Sequence, residues 1–195
     1  MNQPLSSGHR RQSLLSILFP FLLVLILLLA GCTVNISSSS GNSATNTPTS
    51  SGQPHWGKQT KTSGCTAHNG LPDSACTPGD IIPSATKSVI CKSGYAGSVR
   101  NVPDSEKNQD YAEYGITHHT AGQYEVDHLV SLELGGSNDI SNLWPEAASS
   151  KPGFHEKDKV ENYLHDQVCS GALSLQQAQV EIATNWLAVY NQIPK

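Results

Sequence analysis

The feature that most narrows what this chain can fold into is an apolar run near its start, Leu14 to Ala30, closing on Leu29-Ala30-Gly31-Cys32. Arg10 and Arg11 precede it as a positive region. The run is slightly short for a comfortable membrane span, which needs about 20 residues. Small residues ahead of a cysteine suit cleavage better than anchoring by the helix itself, and these four residues match the bacterial lipobox. Residues 1–32 are therefore expected to be an export signal, with Cys32 carrying lipid as the mature N-terminus on the outer face of a bacterial membrane. A transmembrane helix and an ordinary signal peptide are the competing readings.

From Thr33 to about Gly64 the chain is Ser, Thr, Asn, Gly and Pro with few apolar residues. Such a composition buries too little surface to offset chain entropy, so 33–64 reads as a flexible tether. Residues 65–195 remain as one domain, long enough for a single core. After Cys32 there are 10 basic and 16 acidic residues, a formal charge of −6. That balance excludes a passive nucleic-acid coat, which would be strongly basic. It leaves room for an enzyme acting on nucleic acid, because a bound metal reverses the local sign. Besides Cys32 the cysteines are Cys65, Cys76, Cys91 and Cys169. Four cysteines in an exported domain read as two disulfides, in any of three pairings. The pairing favoured here is Cys65–Cys76 with Cys91–Cys169. No pair has the close spacing of a structural zinc site.

The fold class expected is α+β. Val89-Ile90-Cys91 and Tyr95 to Val102 suggest two short flanking strands broken at Gly94 and Gly97. Pro103-Asp104-Ser105 can open a short helix that Gly115 closes. Tyr124, Val126, His128, Val130, Leu132 and Leu134 share one parity, the mark of a strand or of a strand that bends partway. Two C-terminal helices follow. Val160, Tyr163, Leu164 and Val168 line one face of the first, with Gly171 at its end. Ser174 and Gln177 are spaced as a capping box for the second, and Leu175, Ala178, Ile182, Trp186 and Val189 form its apolar stripe.

Within that frame one stretch carries chemistry: Glu125-Val-Asp127-His128-Leu-Val, then Gly135-Gly136-Ser-Asn-Asp-Ile-Ser-Asn142-Leu-Trp-Pro-Glu146. On a regular strand Asp127 and His128 point to opposite faces, so they share a centre only if the strand breaks there. The paired glycines can turn the chain so that a second strand from Asn142 returns antiparallel, and His155 follows on the helix. A carboxylate and an imidazole for an ion, an imidazole for a proton and an amide to steady them suit metal-assisted hydrolysis.

The stretch resembles the HNH family of endonucleases, built on the ββα-metal fold. The resemblance is strong over Glu125–Glu146 and looser over residues 65–195. It implies that Asp127 binds the metal, that His128 is the general base and that Asn142 steadies the motif. His155 is the nearest competent last ligand, 13 residues beyond Asn142 and further than usual; at the usual spacing stands Lys151, which as a cation is no ligand. The resemblance further implies one divalent ion (magnesium, manganese, nickel or zinc) and a nucleic-acid substrate, DNA before RNA. Arg100 is a candidate for the scissile phosphate, and Glu125 for an acceptor behind the ligands. His165 lies ten residues past His155, about 15 Å along the helix, and His118 and His119 read as surface residues. No base-reading motif accompanies the stretch, so cleavage without sequence preference is expected. The alternatives are a non-catalytic surface module on the same scaffold and a nuclease toxin or effector, for which a lipid tether is less apt.

Overall fold

The computed structural model describes residues 54–194, which lie within one compact unit. The expected export signal, Cys32 and the expected tether up to residue 53 lie outside them. In chain order the elements are α1 (Lys87–Ile90), α2 (Tyr95–Val99), α3 (Asp104–Glu113), β1 (Tyr124–His128), β2 (Leu143–Ala147), α4 (Phe154–Ser170) and α5 (Leu175–Tyr190). The fold is α+β. Among the described residues the sheet has two strands, and no helix is long and apolar enough to cross a membrane.

The helix pair α4–α5 forms the apolar floor. Glu156 accepts a hydrogen bond from the Gly153 N–H at 3.1 Å and so caps α4. Gly171, at φ +89°, ends it. Ser174 and Gln177 close a capping box on α5, as their spacing leads one to expect. Val160, Leu164 and Val168 then meet Ala178, Ile182, Trp186 and Val189 in one buried cluster that also takes in Ile90, Val130 and Leu134. Each large apolar side chain buried there contributes about 1.5–3 kcal/mol. Trp186 keeps its indole N–H satisfied on the Gly70 carbonyl at 2.9 Å.

The two flanking strands expected between Val89 and Val102 are helices instead. A strand needs a partner edge, and among the described residues this segment pairs with neither strand of the β1–β2 ribbon. Its backbone bonds locally: Ile90 N–H to the Thr86 carbonyl and Cys91 N–H to Lys87. This is the way a short chain segment keeps buried amides paired. The disulfides join Cys65 to Cys76 and Cys91 to Cys169, with Cα–Cα distances of 6.1 and 5.7 Å. The second ties α1 to the end of α4.

The end of the expected tether also belongs to the fold. Trp56 packs on the core, Gly57 N–H bonds the Gly79 carbonyl at 3.0 Å, and Lys61 pairs with Asp73 at 2.8 Å. The ordered unit therefore begins before Cys65. Polar composition hid this, because a single tryptophan and a few backbone bonds dock the segment.

β1 and β2 pair antiparallel, Asp127 opposite Trp144 and His128 opposite Leu143. The period-two pattern continues past His128 in the sequence, yet the strand stops there. Leu132–Leu134 and Ile140–Asn142 are short 3₁₀ turns. The turn between them is held by glycine for two separate reasons. Gly135 stands at φ +74°, and a Cβ on Gly136 would lie 1.8 Å from the Val130 carbonyl oxygen. No other residue fits that approach.

Candidate active site

Asn142 explains why the strand ends. Its side-chain amide stands where a neighbouring strand would be: Oδ1 accepts from Val130 N–H at 2.9 Å and from Asp80 N–H at 3.2 Å. Its Nδ2 donates to the carbonyls of Val130 at 3.0 Å and Ser137 at 2.8 Å. All four capacities of a fully buried amide are filled. One side chain thus pins the end of β1, the turn and the start of β2.

His128, the last residue of β1, is 2% exposed. Its Nε2 meets Asn138 Oδ1 at 3.2 Å. The orientation of that amide is set by its other bonds. Asn138 Oδ1 also accepts from Asn101 N–H, and its Nδ2 donates to the Val99 carbonyl. An oxygen faces the ring, so Nε2 carries the proton and Nδ1 carries the lone pair. Burial pushes the imidazole down to about 4 against the opposing pull of Asp127. At neutral pH it is uncharged and Nδ1 is ready to accept.

Asp127 faces the opposite way, toward α4. Its Oδ1 accepts from the His128 N–H at 2.8 Å, and its Oδ2 accepts from Lys157 Nζ at 2.7 Å. Lys157 is 0% exposed. It also donates to the His128 carbonyl at 2.7 Å and to Glu161 one turn on. Ser131 Oγ holds the other Glu161 oxygen at 2.7 Å. Burial alone would lower the Lys157 ammonium, but the charges of Asp127, Glu161 and Glu146 outweigh it and hold it raised. In return, although burial opposes it, Lys157 keeps Asp127 below the usual carboxylate range. Glu146 is 1% exposed, its carboxyl set beside that of Asp127. Burial first, and Asp127 next to it, push it up to about 10, so it is a neutral acid at pH 7. The interior thus holds one ammonium and one firmly ionised carboxylate, with Glu161, pushed up to about 7 mainly by burial, part-ionised beside them. A buried cation paired this way avoids the large cost of an uncompensated charge.

The rim is more open. Arg100, Glu125, His155 and Asp158 are exposed. Arg100 forms no ion pair among the described residues, and its charge reaches His128, Glu125 and Asp158. His155 lies in the first turn of α4 with its ring on Phe154, centroids 4.3 Å apart. Among the described residues no hydrogen bond joins it to Asp127. Asp158, which the sequence reading did not single out, stands near enough to Asp127 that, after burial, the Asp127 charge raises it. His165 is elsewhere, its Nε2 3.2 Å from the Ile90 carbonyl and 3.4 Å from Cys169 Sγ. His118 and His119 are exposed.

For a metal, the donor set fits a hydrated ion on one or two protein ligands better than a closed cage. The trio of ligand atoms that converges within 4.8 Å among the described residues is Cys91, His165 and Cys169, and those cysteines are spent in a disulfide. The remaining candidates are Asp127, ionised but already bonded to Lys157 inside, and the exposed His155 and Asp158 at the rim. Magnesium keeps most of its waters and needs only one or two carboxylates.

Sequence patterns could not have revealed Lys157 or Glu146, since lysine and glutamate on a helix or a short strand are ordinarily exposed. Asn138 sat in the quoted turn without a role, and only the fold brings it to His128. No family model, curated protein or solved structure matches this chain.

Proposed function

We propose that the protein is a metal-dependent endonuclease of HNH type that hydrolyses phosphodiester bonds of DNA, held outside the cytoplasm by lipid on Cys32. The observation that carries the reading is the state of His128: a buried, uncharged imidazole, its Nε2–H fixed by Asn138 and its Nδ1 left free, one residue from an ionised carboxylate. In this reading His128 Nδ1 takes a proton from a water as that water attacks phosphorus. Asn138 fixes the ring, and Asn142 fixes the backbone that carries it. Arg100 binds the scissile phosphate through its guanidinium. Asp127 and His155, with Asp158 beside them, would hold the divalent ion, which when bound supplies charge stabilisation to the phosphorane and the leaving oxygen. Glu125, two residues before Asp127 on β1, would be an acceptor behind those ligands.

A second reading, a non-catalytic surface module, is favoured by one observation. Lys157 already neutralises Asp127, so the scaffold is electrostatically complete without a metal. Nicking of supercoiled plasmid by the full chain, with magnesium or manganese and then with chelator, separates the two. The nuclease reading expects metal-dependent nicking that chelator stops. Intact plasmid under every metal tested would favour the module.

A further inference from the structure

A groove of about 320 Å³ opens beside the candidate site, lined by Arg100, Val102, Lys107, Tyr111, Tyr124, Glu125 and Val126. Its volume is at the lower end of small-molecule sites, about 300–1,000 Å³. Three of its residues, Tyr124, Glu125 and Val126, belong to β1 and directly precede Asp127 and His128, so whatever fills the groove lies next to the proposed reacting centre.

Its lining combines two chemistries. One is cationic. The Arg100 guanidinium has no ion-pair partner among the described residues, and Lys107 has only Asp104, at 3.2 Å on an exposed turn. Exposed pairs of that kind are worth little and are easily redirected. The other is aromatic. Tyr111, one turn along α3 from Lys107, stacks on His119 with centroids 4.3 Å apart, and His119 meets Tyr124 edge-on at 6.4 Å. Rings beside lightly committed cations match one ligand chemistry closely: a flat base joined to a phosphate. Proteins that hold single strands use this combination of stacking surface and cation. A base inside a duplex cannot offer its face to such rings, because its neighbours already cover it.

We infer that this groove is a nucleotide subsite that takes one unpaired base against Tyr111 and Tyr124 with its phosphate on Arg100 and Lys107, and that the preferred substrate is therefore single-stranded or frayed nucleic acid. The inference rests on the nuclease reading for its purpose, but it is tested by binding alone.

The full-length His128→Ala chain is titrated with a fluorescent twelve-nucleotide single strand and with the blunt duplex of the same sequence, without metal, and anisotropy is followed. The single strand is expected to bind at least tenfold tighter. Tyr124→Ala should weaken it by about 5- to 150-fold, the span of one stacked base, and Tyr124→Phe should restore it. Neither change should move duplex binding. An abasic position in the strand should cost as much as Tyr124→Ala, and the two losses should not add. If Tyr124→Ala does not fold, Lys107→Gln reads the cationic part of the groove: it should weaken the strand and lower the dependence of log Kd on log salt by about one. Equal affinity for strand and duplex, no binding of either, or full affinity in Tyr124→Ala or in Lys107→Gln would overturn the subsite. A plasmid assay on wild type keeps the two proposals apart: nicking with no strand preference leaves the nuclease and removes the subsite, whereas strand binding without cleavage does the reverse.

Discussion

The buried side chains of α4 fall into an apolar half and a charged half built on opposite principles. Val160, Leu164 and Val168 enter the apolar cluster. Glu156 caps the start of the helix at Gly153, and Lys157 and Glu161 meet Asp127 and Ser131. The first arrangement gains by removing apolar surface from water. The second gains little on balance and holds groups at set positions, because a buried ion pair costs about as much to desolvate as it returns. The helix therefore uses one half for stability and the other to fix Asp127 and the carbonyl of His128.

The sharpest way to break that contrast is Lys157→Met. It leaves Asp127 without its cation and should cost about 3–5 kcal/mol in a denaturant titration. Adding Asp127→Asn should recover more than half of the loss, since the penalty is the uncompensated charge and not the missing lysine. Failure of the double variant to recover would mean that Lys157 acts by packing. In the other half, Leu164→Ala should cost about 2–5 kcal/mol by transfer and cavity terms, and no charge change nearby should rescue it.

A smaller effect separates two neutral groups on the ribbon by pH. Glu146 holds its proton up to about 10 when folded and loses it near 4.5 when unfolded. Stability from this group is full below about 4.5 and falls as pH rises toward 10. Glu146→Gln, permanently neutral, should remove that slope and exceed wild type at pH 8–9. His128 acts in reverse. Its pKa falls from about 6.5 unfolded to about 4 folded, so acid favours the unfolded chain between those values by about 3 kcal/mol in all. His128→Gln should lose this acid sensitivity. Melting temperatures across pH 4–9 for the two variants check both signs, and equal slopes in wild type and variant would contradict the assigned charge states.

The contrast in α4 also explains what was readable in the sequence. The apolar half was legible because Val160, Leu164 and Val168 repeat at helical spacing and Gly171 stops them. The capping box at Ser174 was legible for a similar local reason. Asp127, His128 and Asn142 stood out because the paired glycines and the asparagine are local devices whose purpose survives in a short quoted stretch. The segment Val89-Ile90-Cys91 misled, since a short apolar run without alternation suits strand or helix alike, and only its partners in the fold decide. Lys157 and Glu146 were invisible for a different reason. Their burial depends on partners 30 and 19 residues away in the chain, and nothing local distinguishes a buried lysine from a solvated one.

The central claim is that His128 is the proton acceptor of a metal-dependent hydrolysis, while Asp127 belongs to the charge cluster that holds the ion. Single-turnover cleavage of plasmid by the wild-type chain and by His128→Ala, with metal binding followed by calorimetry on the same samples, tests it directly. The account expects cleavage to fall by about 10²–10⁴-fold, the usual loss of a general base, while metal affinity is retained. Cleavage by His128→Ala at the wild-type rate would contradict it.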